Sequence, residues 1–170
     1  MKINLKRIIV FLLLAAVLTT ADQWTKSLAV QHLKNTDGIV LVRNVLYLIY
    51  IENRGAAFGA FQGMQIMFYL ITAAVLCGIV YLLCRIPEER RYNPMLLVCL
   101  LVFSGAVGNF IDRVKQSYVV DFIYFSPIDF PVFNVADIYV TCGCFLMVLL
   151  FLMYYKEDDF LFLNKKQNTP

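Results

Sequence analysis

The sequence predicts a mainly α-helical membrane protein with four transmembrane helices and a small β-rich loop region on the outer face, between spans one and two. Hydrophobic residues make up 61% of the 170-residue chain and charged residues only 16%, a balance far from that of a soluble domain. The mean hydropathy is +0.70. Because a span needs about 20 residues, we expect one polytopic membrane domain over the whole chain and no separate soluble domain.

Long apolar runs predict the spans at roughly 8–28, 66–84, 95–112 and 138–155. The first run superficially resembles a secretory signal, but its apolar pattern continues beyond Asp22, so we interpret it as a retained span. Strands are predicted in both long loops, where residues 39–51 and 118–124 are rich in β-branched and aromatic side chains.

The basic residues predict the orientation of these spans. Three lie in the first seven residues, three lie between residues 85 and 91, and three lie in residues 156–170. By the positive-inside rule both termini are cytoplasmic, residues 156–170 form a mobile cytoplasmic tail, and the two long loops lie outside. The basic residues form no arginine-rich, aromatic-interleaved surface, so we expect no nucleic-acid partner.

Ionisable side chains collect at the outer ends of the predicted spans, whereas the rest of the membrane region is nearly free of charge. Such groups are costly in a membrane unless they are paired, and their convergence therefore predicts a functional site. The residues concerned are Asp22, Lys26, Asp112, Arg113, Asp121 and Asp137.

Asp121 and Asp137 are the candidate catalytic pair. Two carboxylates that lie close together cannot both ionise, so one can hold a proton while the other acts as a base on water. This aspartyl chemistry needs no metal and no cofactor. A structural alternative remains for Asp137, because Asn134 could be the N-cap of the fourth helix and Asp137 could complement its amino terminus.

Two further pairs also have structural interpretations. Asp22 and Lys26 stand four residues apart in the favourable order for a helical ion pair, and Asp112 could pair with Arg113. For either pair, a structural role and a functional role both remain open.

Other residues with reactive side chains are weaker candidates for catalysis or metal binding. The single histidine, His32, lies in a predicted loop, which argues against a histidine-based triad or a histidine-rich zinc site. Ser104 lies deep in the third span without a histidine partner, so small-residue packing is the better interpretation. Cys142 and Cys144 point to different sides of a helix, and we interpret the five cysteines as buried small hydrophobes.

Two other classes of function are compatible with intramembrane charge. A proton-coupled transporter would distribute ionisable groups along a span, whereas here they lie at one edge. A metal-dependent lipid-phosphate enzyme could use Asp112, Asp121 and Asp137 as oxygen ligands of magnesium.

Five sequence blocks resemble the lipoprotein signal peptidases, also called signal peptidase II. They are DQWTK at 22–26, NRGAAF at 53–58, GNFIDR at 108–113, VVDF at 119–122 and FNVAD at 133–137, in the family's order. The resemblance covers nearly the whole membrane domain, and five such blocks in one short chain are highly specific.

The resemblance implies a bacterial plasma-membrane aspartyl endopeptidase that removes signal peptides from diacylglyceryl-modified prolipoproteins, cutting before the lipid-modified cysteine. Asp121 and Asp137 match the family's catalytic pair, and the strand-rich outer loop corresponds to its cradle. Membrane lipids and globomycin-type inhibitors are further expected partners, and we expect a monomer. The positions implied to shape the site or to contact substrate and inhibitor are Asp22, Lys26, Asn53, Gly55, Asn109, Asp112, Arg113, Asn134 and Ala136.

The chain departs from the family pattern at two positions. Ser117 stands where members often have glycine, before the first aspartate, and Ile138 stands where a serine often follows the second. These departures bear on the turn before Asp121 and on one hydrogen bond near Asp137.

Overall fold

The computed structural model of the chain describes residues 5–55 and 63–164. Residues 56–58 of the second sequence block and the tail beyond residue 164 therefore lie outside the described residues. The long helices are α1 (Leu5–Leu33), α2 (Gln65–Arg85), α3 (Asn93–Gln116) and α4 (Val135–Met153), followed by the short α5 (Leu161–Asn164). The strands are β1 (Ile39–Val42), β2 (Leu46–Asn53) and β3 (Val119–Phe125).

The prediction of a mainly helical chain with membrane-capable helices is confirmed. Within the described residues, three helices are long and apolar enough to cross a membrane: α2, the stretch Arg90–Gln116 that contains α3, and α4. α1 is the longest helix, with 29 residues, but it is not among these three. Its second half carries charged and amide side chains that face the other helices.

The three strands form one antiparallel sheet in the order β1, β2, β3. β2 pairs with β3 from Leu46 opposite Phe125 to Asn53 opposite Val119. The sheet therefore joins the loop between α1 and α2 to the loop between α3 and α4. The predicted β-rich region is present, but the second loop completes it.

α3 is the central helix, and α1, α2 and α4 all pack against it. Two glycines allow the closest approaches. A methyl group at Gly108 would come within 2.5 Å of an Asp22 carboxylate oxygen, and one at Gly105 would overlap the Ala136 carbonyl oxygen. Small residues at these positions therefore let α1 and α4 bring polar groups against α3.

Residues 157–163 pack onto the bundle, so the predicted mobile tail is wrong for this segment. Phe160 and Phe162 pack against the hydrophobic core at this end. Arg91 donates hydrogen bonds from Nε and Nη2 to the two carboxylate oxygens of Asp159, both at 2.6 Å. Burial of the aromatic side chains offsets the entropy lost when the segment becomes ordered, which the charge of the tail alone did not suggest.

The basic segments that predicted the orientation meet at this same end of the bundle. Arg7 donates to the carbonyl oxygens of Leu83, Ile86 and Pro87, where α2 ends. Arg91 lies at the start of the α3 stretch and binds the segment after α4. We call this the basic end; the sheet and the buried polar side chains of the predicted site lie at the other end.

Candidate active site

Asp121 lies in β3 with only 2% of its surface exposed. Both of its carboxylate oxygens accept hydrogen bonds from amide side chains. Asn134 Nδ2 donates to Oδ1 at 2.6 Å, and Asn53 Nδ2 donates to Oδ2 at 2.8 Å. The carboxyl group is therefore held in one orientation from two sides.

Asp137 lies in the first turn of α4, where it forms a capping box with Asn134. The Asn134 side chain accepts from the Asp137 backbone N–H at 3.0 Å, and Asp137 Oδ2 accepts from the Asn134 backbone N–H at 3.1 Å. The predicted N-cap is thus confirmed. Asn109 Nδ2 donates to the other oxygen, Oδ1, at 2.7 Å. Asp137 therefore stabilises the start of α4 and also lines the cavity described below.

Each of the three asparagines has its amide orientation fixed by a group that can only donate. Lys26 Nζ lies 2.9 Å from Asn109 Oδ1, the Asp137 backbone N–H binds Asn134 Oδ1, and the Gly55 backbone N–H binds Asn53 Oδ1 at 3.0 Å. With each oxygen assigned in this way, each NH₂ group faces a carboxylate. The network therefore presents N–H donors to both aspartates.

The pKa of Asp121 is raised to about 6. Burial is the main cause, because it removes the ionised carboxylate from water, and the negative charge of Asp137 acts in the same direction. Hydrogen bonds from Asn53 and Asn134 and the charge of Lys26 oppose this rise. The two aspartates are thus electrostatically coupled, and Asp121 retains a proton to a higher pH than an ordinary aspartate.

Behind the two aspartates lies a buried ionic triad. Lys26 Nζ lies 3.0 Å from Asp22 Oδ2 and 3.0 Å from Asp112 Oδ2, and all three side chains are almost fully buried. The structure thus contains the predicted ion pair of Asp22 and Lys26, whereas Asp112 pairs with Lys26 on α1 and not with Arg113. Removing any one of the three side chains would change the charge balance of the buried triad and leave a buried charge without its partner.

The triad also anchors the elements that carry the two aspartates. Asp22 Oδ1 accepts from the Ala136 backbone N–H at 2.9 Å, in the first turn of α4. Asp112 Oδ2 accepts from the Val120 backbone N–H at 3.2 Å, the residue before Asp121. Each acid of the triad is therefore hydrogen-bonded to the backbone next to one of the candidate catalytic residues.

Arg113 connects α3 to the loop after β2. Its Nη2 donates to the Gly55 carbonyl oxygen at 3.2 Å, and its guanidinium carbon lies 4.4 Å from the centroid of the Phe68 ring. The backbone carbonyl of Arg113 accepts from Tyr69 Oη at 3.0 Å. Arg113 thus holds Gly55 and the start of α2 against the end of α3.

A cavity of about 430 Å³ opens beside the two aspartates. Of the site residues expected from sequence, six line it: Asn53, Gly55, Asn109, Arg113, Asp121 and Asp137. The other five lie behind this wall: Asp22, Lys26, Asp112, Asn134 and Ala136. The structure therefore brings all eleven to one region, in two layers.

Several functional candidates escaped the sequence reasoning. An aromatic and proline-containing segment, 130–133, lines the cavity together with Thr141 and Cys142 on α4. Gln23 was also missed as a site residue, although an amide side chain between two charged residues of an apolar helix itself indicates a polar contact inside the bundle.

The structure also shows the surroundings of Ser104 and of the two departures from the family pattern, Ser117 and Ile138. Ser104 Oγ donates to the Leu100 carbonyl oxygen at 2.8 Å inside α3, and the side chain does not line the cavity. Ser117 ends α3 with φ of 64°, the left-handed conformation in which glycine is favoured. Ile138 lines the cavity, so an apolar group stands where the family often has a hydroxyl.

The two-layered site can be compared with known proteins. The sequence model of the family described as signal peptidase (SPase) II matches residues 14–153. The chain belongs to the signal peptidase II family. The resemblance inferred from the five sequence blocks is thereby confirmed. Signal peptidase II is a protease, and its family membership agrees with the membrane-capable helices.

Similar sequences come from several bacteria. The lipoprotein signal peptidase of Geobacillus thermodenitrificans (strain NG80-2) is 43% identical over 148 residues, covering 86% of this chain and 89% of the relative. That of Streptococcus pyogenes serotype M1 is 36% identical over 150 residues, covering 88% of this chain and 95% of the relative. The similarity to signal peptidase II thus extends over nearly the full length of these relatives.

Two solved structures share the fold of this signal peptidase II family member. One, described as a bacterial membrane enzyme at 2.3 Å resolution, has a TM-score of 0.75 and 34% identity, covering 95% of this chain and 94% of that chain. The other, at 1.9 Å resolution, has a TM-score of 0.74 and 34% identity, covering 86% and 94%.

Proposed function

We propose that this protein is an aspartyl endopeptidase that removes signal peptides from diacylglyceryl-modified prolipoproteins, cutting before the lipid-modified cysteine. The observation that carries the proposal is the pair of coupled carboxylates, Asp121 and Asp137, on the wall of one cavity. The curated relatives named above are lipoprotein signal peptidases, which supports this substrate class.

In the proposed mechanism Asp121 holds the proton and Asp137 is ionised. The raised pKa of Asp121 supports the first assignment. The amino terminus of α4 and two N–H donors stabilise negative charge on Asp137, which supports the second. Asp137 then removes a proton from water while Asp121 donates its own to the scissile carbonyl oxygen, which gives a tetrahedral diol. In the second step Asp137 passes its proton to the leaving amine as the C–N bond breaks, and Asp121 takes a proton back from the diol.

The remaining site residues are proposed to hold the two catalytic carboxyl groups and to shape the cavity for substrate. Asn53, Asn109 and Asn134 hold the two carboxyl groups through their amides. Arg113, which donates to the Gly55 carbonyl oxygen, is proposed to hold Gly55 at the wall of the cavity. Asp22, Lys26 and Asp112, with Ala136, shape the site from behind.

We also propose that the chain is a single four-span domain in the bacterial plasma membrane, with α1 as the additional span. The first half of α1 exposes Leu12, Leu13 and Val17 by 52%, 62% and 64%, as expected of side chains that face lipid. The gathering of basic residues at one end supports cytoplasmic termini, a cytoplasmic segment 156–170 and a site near the outer face. Membrane lipids, globomycin-type inhibitors and a monomeric state belong to this proposal.

The geometry argues against the magnesium alternative. Asp112 binds Lys26, Gln23 and the Val120 N–H with its two oxygens and does not line the cavity. In the described part of the chain, no group of three or more His, Cys, Asp or Glu side chains is arranged to hold a metal ion. A transporter is disfavoured because the buried charges are gathered in one layer.

Replacement of either aspartate by asparagine tests the proposal. Asp121→Asn and Asp137→Asn are each expected to fold in membranes but to cleave a diacylglyceryl-modified prolipoprotein peptide at least roughly a thousandfold more slowly, because each removes one half of the acid and base chemistry. The measurement is peptide cleavage by purified protein, with and without globomycin and with and without a chelator.

Asp129→Asn is a matched control, since Asp129 is an exposed aspartate four residues after β3 ends and bonds only Tyr124 among the described side chains. It should cleave at the wild-type rate. Normal cleavage by either variant of the pair would refute the mechanism, and loss of wild-type activity in chelator would favour the metal enzyme.

A further inference from the structure

Gln23 on α1 joins three acceptors at the interface with α3. Its Nε2 lies 2.8 Å from Asp112 Oδ1, 3.1 Å from the Gly108 carbonyl oxygen and 3.3 Å from Asp22 Oδ2. The amide therefore touches both acids of the buried triad. The ionic contacts of Lys26 alone do not account for the orientation of these two carboxylates.

The two oxygens of Asp112 have different partners. Oδ1 accepts from Gln23, whereas Oδ2 faces Lys26 Nζ at 3.0 Å and the Val120 backbone N–H at 3.2 Å. Since the carboxylate is planar, a donor that fixes Oδ1 also fixes the direction of Oδ2. Without the Gln23 amide, Oδ1 would lose its donor at a residue that is only 5% exposed, and the carboxylate would rotate to regain one.

The Val120 backbone N–H is the group through which Asp112 holds β3. β3 is an edge strand of the sheet that pairs with β2, where Val120 lies opposite Glu52, and Phe133 bridges its other edge at Ile123. On its other side, the backbone N–H next to Asp121 is held by Asp112. The position of Asp121 therefore depends on a path from Gln23 through Asp112 to the edge of the sheet.

We propose that Gln23 is a positioning residue that holds Asp112, and through it the β3 backbone at Val120, so that Asp121 is presented correctly to the cavity. The inference rests on the proposed function for its catalytic readout. Gln23 does not line the cavity, so it acts through Asp112 and not through contact with substrate. Lys26, by contrast, acts on the second aspartate through Asn109.

The test compares Gln23→Met, which keeps the length of the side chain but removes the donor, with Gln31→Met as a control. Gln31 is an exposed glutamine on the same helix and bonds Ser27 among the described side chains. In Gln23→Met we expect kcat to fall roughly 10-fold to 100-fold with KM within about twofold, because a misplaced catalytic group slows chemistry more than binding. Gln31→Met should leave both constants unchanged.

A double-mutant cycle with Asp112→Asn tests the path itself. If Gln23 acts through Asp112, its replacement should change kcat little once Asp112 has been replaced. Infrared titration of the Asp121 carboxyl group supplies a second readout, since its midpoint should shift in Gln23→Met and remain in Gln31→Met. Gln23→Asn, one methylene too short to reach Asp112, serves the same purpose if the methionine variant does not fold.

A wild-type kcat in folded Gln23→Met or Gln23→Asn, an unchanged Asp121 titration, or additive effects in the cycle would each overturn the proposal. Failure of the proposed function is distinguishable, because it would appear as wild-type protein that does not cleave the lipid-modified peptide. The infrared titration would then still decide whether Gln23 positions Asp121.

Discussion

The two ends of the bundle are stabilised by opposite means. At the cavity end, helices α1, α3 and α4 meet through buried charges and amides that bind specific partners. At the basic end, aromatic side chains pack against one another in several overlapping contacts. Loss of one partner in the first region leaves a buried group unsatisfied, whereas the second can adjust.

This contrast agrees with the proposed function. Hydrogen bonds and ion pairs have fixed directions, so they can hold a carboxyl group to within the tolerance that proton transfer requires. Aromatic packing is less directional and tolerates small shifts. The cavity end thus gains geometric precision and becomes vulnerable to single substitutions.

The sharpest test of the contrast is Lys26→Met. It removes the charge that Asp22 and Asp112 share, and leaving these acids buried without it should cost about 3–5 kcal/mol of folding free energy. Asn109 would also lose the donor that orients its amide toward Asp137. Thermal unfolding in lipid nanodiscs and the cleavage assay are the measurements. A variant with wild-type stability would remove the basis of the comparison.

The next largest effect is expected in the pH dependence of the unfolding free energy, to which Asp121 at the cavity end contributes. The folded-state pKa of Asp121, about 6, lies above the ordinary value of 3.8, so the folded state binds its proton more tightly than the unfolded state. The stability that this adds is complete below about pH 4 and is lost as the pH rises to about 6. The gap corresponds to roughly 3 kcal/mol.

Asp121→Asn removes this pH-dependent contribution to stability and provides the reference for the titration. The difference in unfolding free energy between wild type and variant should change across that pH window, and an infrared carboxyl band with a midpoint near pH 6 should disappear. A band that persists in Asp121→Asn would assign the titration to another group.

Ser117→Gly should have a smaller, stabilising effect at the cavity end. Ser117 has a positive φ of 64°, which costs a non-glycine residue about 1–2 kcal/mol, although the entropy of glycine in the unfolded chain offsets part of the gain. We expect the melting temperature to rise and cleavage to be retained. Ser126→Gly, at the residue that follows β3, is a control without a positive φ, and a similar gain there would contradict the explanation.

Asp159→Asn at the basic end should have the smallest effect. The ion pair with Arg91 lies partly in solvent, where such pairs add little stability, and the aromatic contacts of Phe160 and Phe162 remain. The Arg91 guanidinium also lowers the pKa of Asp159 to about 2, so the pair is intact at neutral pH. Cleavage rates and melting temperature should stay near wild type, and a large loss of either would show that this end is not tolerant.

Prediction from sequence worked best where the signal is local. Asn134 and Asp137 stand three residues apart, which is the spacing of a capping box, and that box is present. The strands in residues 39–51 followed from β-branched and aromatic content. Ser117 was identified as a departure from the expected glycine, and its φ of 64° is a conformation that glycine adopts more readily than serine.

Long-range partners were predicted less well. Asp112 is adjacent to Arg113 in sequence, so a local ion pair was the natural alternative, yet its partner is Lys26 on another helix. Successive residues on a helix point to different sides, and the side that faces α1 depends on how the helices cross. Gln23 was missed for the same reason, since its acceptors lie on α3.

By itself, the sequence determined the apolar composition of the helices, the order of the polar blocks and the capping box, because these depend on residue type and on spacing along one segment. Only the tertiary structure decided that Lys26 bridges two acids, that three asparagines direct N–H groups at Asp121 and Asp137, and that residues 157–163 close the basic end. Those features arise where separate helices and strands meet, and their geometry depends on all the packing between them.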